Sequence, residues 1–223
     1  MHTLMGIFLP SYSFKPMEDI SKIIPELKIK LEKQLIPARI LLDKFRIIDE
    51  TSRRVSAYTD PNYAPFYYYI GTLLDPKNVA DFGFRLGLLS GCFLKGCKTV
   101  KNFLGFQQKT DEYYSPRLGR ANIKSVFKGN FDFYLGSILD NEFIDKWNKI
   151  NWDVVIVNEE KDYDFYRTCF DVIWNKLENN GLIISDYVVS HEPCKKAFYD
   201  FCKSKNREPI LIKTRYGTGL VQK

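Results

Sequence analysis

The chain has 223 residues, 45% of them hydrophobic and 27% charged, with 33 Lys and Arg against 27 Asp and Glu for a formal net charge of +6. That balance excludes disorder as the default and suits one generous α/β domain. The basic residues are scattered and mark no nucleic-acid groove. In chain order, Met1–Pro10 lacks a charged stretch leading into an apolar core, so no secretory signal is read. Ile20, Ile23, Ile24, Leu27 and Leu31 fall at helical spacing, and Ile40, Leu41, Leu42, Phe45 and Ile48 predict a second helix. Pro25 and Pro37 are expected to interrupt them. Residues 1–60 read as an N-terminal helical cap, and 61–223 as the main domain.

From Asn78 onward the pattern is regular. Apolar runs at Val79–Phe82, Thr99–Leu104, Phe131–Leu135, Trp152–Val157 and Leu182–Ser185 predict buried strands. Helix-like stretches lie between them near Leu86–Leu94, Pro116–Ser125, Asn141–Lys149 and Tyr163–Leu177, and another near Cys194–Lys203. Alternating strands and helices with near-continuous apolar strands predict a Rossmann-like, doubly wound, mostly parallel sheet covered on both faces. Ile210–Lys213 and Leu220–Gln222 flank a Gly-containing turn too short for a crossover. They add a C-terminal antiparallel hairpin and bring the sheet to seven strands. No apolar run approaches the ~20 residues of a membrane-spanning helix. The five cysteines form no CxxC pair and fit reduced thiols of a soluble, cytoplasmic protein.

In an open α/β sheet, ligands bind beyond the carboxyl ends of the strands. The first strand runs into Asp81-Phe82-Gly83-Phe84-Arg85-Leu86-Gly87. Gly83 permits a tight turn with close backbone approach, Gly87 lets a helix begin beside it, and Asp81 suits loop amides or a cationic ligand end. No Gly-Lys-Ser/Thr follows, so this is not a phosphate loop. The fourth strand, Trp152–Val157, meets the polar cluster Asn158-Glu159-Glu160-Lys161. The fifth, after a Gly181 placed to cap the preceding helix, ends at Asp186. The aromatic segment from Tyr58 to Tyr69 precedes the first strand and offers faces for a cation or a sugar ring. Equally, it can pack the N-terminal helices on the sheet. Of the two histidines, His191 follows Asp186 closely, and an imidazole suits a general base.

The order Asp-x-Gly-x-x-x-Gly, then Trp-Asp-Val-Val-Ile-Val-Asn-x-x-x-x-Tyr, then Gly-Leu-Ile-Ile-x-Asp-Tyr, closed by a hairpin, resembles class I S-adenosylmethionine-dependent methyltransferases. Within them it is similar to small O-methyltransferases acting on sugars and antibiotic sugars. The resemblance runs from about Asp60 to Lys223 and implies an enzyme that methylates a hydroxyl of a sugar or glycan. It implies that Asp81, Gly83 and Gly87 hold the amino-acid end of S-adenosylmethionine, with Asn158 also beside the cofactor. It places Gln107 at the ribose, where relatives carry an acid, and Ser137 at the adenine. A magnesium ion is implied on Asn158, Glu160 and Asp186, with Asn158 standing where relatives have Asp. Lys161 stands in place of the usual His, so the candidate catalytic residues are Asp186, His191 and Lys161. Arg117 and Arg120 are candidates for gripping an anionic acceptor. Two other readings stay open: a nucleic-acid methyltransferase, and a methyltransferase-like binding module without catalysis.

Overall fold

The computed structural model describes residues 17–33, 36–45, 62–109, 116–159 and 161–223. Glu160, residues 58–61 of the aromatic segment and the end of the expected second helix lie outside them.

Helix α1 (Ile20–Glu32) starts at Asp19, whose side chain accepts from the Ser21 amide. Pro25 lies inside this helix and does not interrupt it. An internal proline costs about 3 kcal/mol. Ile20, Ile23, Ile24 and Leu27 are all buried on one face, and each buried apolar side chain returns roughly 1.5–3 kcal/mol. Burial wins. The second helix is a single turn, α2 (Ala38–Leu41), begun by Pro37. The aromatic segment forms α3 (Tyr63–Leu73), which the sequence pattern had not marked as a helix because nearly every side is apolar; Tyr63, Phe66, Tyr67, Tyr69 and Ile70 are all buried.

The seven strands are β1 (Asn78–Phe82), β2 (Asn102–Gln107), β3 (Asn130–Leu135), β4 (Trp152–Val157), β5 (Leu177–Ser185), β6 (Ile210–Ile212) and β7 (Thr218–Gln222). They lie in the order β3-β2-β1-β4-β5-β7-β6. The first five in this order are parallel, and β7 pairs antiparallel with both β5 and β6. The helices connecting them are α4 (Leu88–Gly96), α5 (Pro116–Val126), α6 (Asn141–Trp147), α7 (Tyr163–Lys176) and α8 (Glu192–Ser204).

Three strands begin at least two residues earlier or later than expected, β7 by starting at Thr218 ahead of Leu220. β2 begins at Asn102, not Thr99, because pairing decides its start: Asn102 sits opposite Asn78 and Asn130. Thr99 instead donates its hydroxyl to the Pro76 carbonyl. β5 starts early, at Leu177 directly after α7, with a register shift opposite Trp152 and Val154. Gly181 therefore lies within the strand and caps no helix; the left-handed residue there is Asn180 (φ 64).

Alternation along the strands builds a core on each face of the sheet. Val154, Ile156, Leu182 and Ile184 pack with α1, α3 and α4, while Val155, Val157 and Ile183 pack with α6, α7 and α8. At the amino ends of the strands, the Asp153 carboxylate accepts from the amides of Lys77 and Asn78 at 2.7 and 2.8 Å. Beside it runs a side-chain ladder. Asn102 donates to Asn78 at 2.8 Å and Asn130 donates to Asn102 at 3.0 Å. No helix among the described residues is long and apolar enough to cross a membrane.

Candidate active site

The parallel strands bring five polar positions to one carboxyl edge. In spatial order they are Ser137 after β3, Gln107 on β2, Asp81 on β1, Asn158 after β4 and Asp186 after β5. The ends are stitched together by backbone bonds. Gly136 donates to Gln107, Gly83 and Phe84 both donate to Phe106, Asn158 donates to Phe82, and Asp186 donates to Val157.

The turn after β1 is tight. Gly83 (φ 93) and Gly87 (φ 64) both hold backbone conformations that favour glycine. At Gly83 a Cβ would overlap the carbonyl of Asn158, so this glycine allows contact between the ends of β1 and β4. Gly87 is the N-cap of α4. Asp81 is buried, and its Oδ2 accepts from the Ser90 hydroxyl at 2.5 Å. Its Oδ1 has no partner among the described residues, and neither does the buried Oδ1 of Asn158 on the next strand. Burial pushes the Asp81 carboxyl up to about 7, against the pull of the Ser90 hydroxyl.

Asp186 is fully buried under three hydroxyls. Tyr63 and Tyr67 donate to Oδ2 at 2.5 and 2.7 Å, and Thr218 donates to Oδ1 at 2.7 Å. The two tyrosines are four residues apart on α3 and so share a face. Burial raises the Asp186 carboxyl to about 6, opposed by these hydroxyls and by Arg85. Burial and the Asp186 charge in turn hold both tyrosines well above their ordinary range. The sequence had marked the aromatic segment but not these hydroxyls. Their spacing of four was the available signal; Thr218 left none.

Gln107 is fully buried at the end of β2, whereas Ser137 is exposed, its amide donating to Asp140. His191 is half-buried as the N-cap of α8, with Nδ1 unpartnered among the described residues. Lys161 is half-buried just before α7. Arg117 and Arg120 are exposed on α5, Arg120 lying 5.9 Å from the Phe133 ring.

The expected magnesium site meets a difficulty. Both oxygens of Asp186 are engaged by hydroxyl donors, Asn158 supplies only an amide, and Glu160 lies outside the described residues. Among the described residues no group of three His, Cys, Asp or Glu could hold an ion. The described side chains, as arranged, do not fit magnesium.

A sheet of this order, closed by an antiparallel hairpin, is a fold shared with solved methyltransferase structures. Solved structures agree at low identity. A Podospora anserina methyltransferase, PaMTH1, bound to S-adenosylhomocysteine matches with a TM-score of 0.58 at 14% identity, covering 97% of this chain and 98% of that one. The Bacillus cereus O-methyltransferase in complex with S-adenosylhomocysteine matches with a TM-score of 0.55 at 14% identity, covering 92% of each chain. TomG, a Streptomyces achromogenes O-methyltransferase involved in tomaymycin synthesis and bound to S-adenosylmethionine, matches at 0.56 and 12% identity, over 87% of this chain and 95% of its own. No protein-family model and no curated protein matches the sequence.

Proposed function

We propose that the chain is an S-adenosylmethionine-dependent O-methyltransferase acting on a hydroxyl of a small molecule. The observation that carries this reading is the pair of buried oxygens, Asp81 Oδ1 and Asn158 Oδ1, unpartnered among the described residues on the adjacent ends of β1 and β4. Buried acceptors without donors are costly and rare. An ammonium group, such as the one at the amino-acid end of the cofactor, would satisfy both. When bound, S-adenosylmethionine supplies a methyl group on a sulfonium, already a strong electrophile.

The chain's own residues then have three tasks. Asp81 and Asn158 take the ammonium, with Gly83 keeping the backbone close. Gln107 offers an amide to the ribose hydroxyls, and Ser137 lies nearest the adenine. Asp186 or His191 accepts the proton lost by the acceptor hydroxyl, and Lys161, after β4, is the third candidate. Positioning donor and acceptor in line is the main contribution asked of the protein. Within small molecules, a sugar or glycan hydroxyl is the acceptor suggested by the ends of β4 and β5. The half-buried Tyr216 ring, stacked at 4.8 Å on the buried Tyr187 ring beside Asp186, is the face offered to a sugar ring.

One observation favours a second reading, a binding module without catalysis: the three hydroxyls that close on Asp186. Calorimetric titration with S-adenosylhomocysteine, followed by methyl transfer to a panel of sugars and phenols, tests both. The enzyme reading expects saturable one-to-one binding and transfer to at least one acceptor. Binding without transfer to any acceptor supports the module, and no binding rejects the cofactor site.

A further inference from the structure

Two residues other than glycine hold left-handed backbone at the ligand edge, and they touch each other. Arg85 (φ 47) lies in the turn after β1, and Tyr187 (φ 67) directly follows Asp186 after β5. Such conformations are costly for residues with a Cβ, persist only where neighbours fix them, and cluster at functional sites. Arg85 Nη1 donates to the Tyr187 hydroxyl at 3.3 Å. The Tyr187 ring is fixed in turn by its stack on Tyr216.

The strand order makes this contact informative. β4 lies between β1 and β5, so a side chain reaching from the β1 turn to Tyr187 crosses the carboxyl end of β4. That is where Asn158 stands. The Arg85 Nε is buried, and its charge acts on both Asp81 and Asp186. A guanidinium thus sits within the field of the two carboxylates that a cationic ligand would seek.

We propose that Arg85 is a built-in bar across the donor site: its guanidinium reaches from the β1 turn to Tyr187 after β5, sets a resident positive charge against the sulfonium of S-adenosylmethionine, and must release Tyr187 before the donor enters. The inference rests on the methyltransferase reading above. It has a charge signature. S-adenosylmethionine carries a sulfonium that S-adenosylhomocysteine lacks, so a resident cation opposes the donor more than the product. An arginine that instead gripped the donor's carboxylate would favour both ligands.

The test is calorimetric titration of S-adenosylmethionine and S-adenosylhomocysteine into the full chain and its Arg85→Gln, Arg85→Gly and Tyr187→Phe variants. Arg85→Gln is expected to tighten S-adenosylmethionine roughly tenfold, the scale of a close charge pair in partly shielded surroundings, and the product by less. Arg85→Gly should do the same while relieving the backbone, and Tyr187→Phe should move affinity in the same direction by a smaller factor. If Arg85→Gly fails to fold, Arg85→Gln, which keeps the side-chain stem, decides. Weaker or unchanged donor affinity in a folded Arg85→Gln variant, with wild type binding normally, overturns the inference alone. No binding of either ligand by any of the four proteins overturns the methyltransferase reading and the inference together.

Discussion

At the scale of single residues, two buried acids set the behaviour of the ligand edge. Asp81 and Asp186 have carboxyls raised to about 7 and about 6 from an ordinary value of 3.8. A raised acid binds its proton more tightly in the folded chain than in the unfolded one. These two groups therefore favour folding at acid pH, and that contribution is lost as pH climbs from about 4 through 6 and 7. At about 1.4 kcal/mol per pH unit, the loss at Asp81 amounts to a few kcal/mol. Asp81→Asn removes the buried charge yet keeps an acceptor for Ser90, so its thermal midpoint should exceed wild type by more at pH 8 than at pH 5. Paired melts at the two pH values check this; equal differences would mean that Asp81 is not titrating across that range. Tyr63→Phe deletes one hydroxyl from buried Asp186 and should cost about 1–3 kcal/mol in chemical denaturation. Asp81 and Asp186 were legible as strand-end acids. Their closing hydroxyls were not, because Tyr63 lies 123 residues from Asp186 and no local pattern spans that distance.

At the scale of elements, α3 and α4 meet backbone to backbone. A Cβ on Gly71 of α3 would overlap the Phe93 carbonyl, and one on Gly96 of α4 would overlap the Tyr68 carbonyl. Close approach leaves no room for even a methyl group, and backbone yields less readily than side chains. Gly71→Ala and Gly96→Ala should each lower stability by at least ~1–3 kcal/mol despite alanine's better helix propensity. A midpoint unchanged or raised in denaturant would show that the helices can part at little cost. The same packing explains why α3 escaped a periodicity argument. A helix buried nearly all round has no polar stripe to reveal its turn. β4, by contrast, was legible to its ends at Trp152 and Val157, because polar residues bracket a run apolar but for Asp153.

At the scale of the molecule, the mostly parallel seven-stranded sheet, the two-faced core and the closing hairpin followed from strands and helices that alternate in sequence. What stayed hidden was how the loops close over the edge. The arrangement also bears on metals. With Asp186 engaged by hydroxyls and no ion-holding cluster among the described residues, excess EDTA should leave affinity for S-adenosylhomocysteine unchanged. A calorimetric loss of affinity on chelation, restored by magnesium, would contradict this. The asparagine ladder across Asn78, Asn102 and Asn130 has a consequence at this scale too. Sliding a strand by one residue turns its side chains to the wrong face, and burial forbids it. Sliding by two does not: every side chain keeps its face. β3 is the vulnerable case, an edge strand with only Tyr134 buried. Three amides in file distinguish the true alignment from its near copy two residues away, since only one alignment lets all of them pair. The ladder thus works as an error check on assembly, set at the edge opposite the candidate site, where it can be kept without constraining that site.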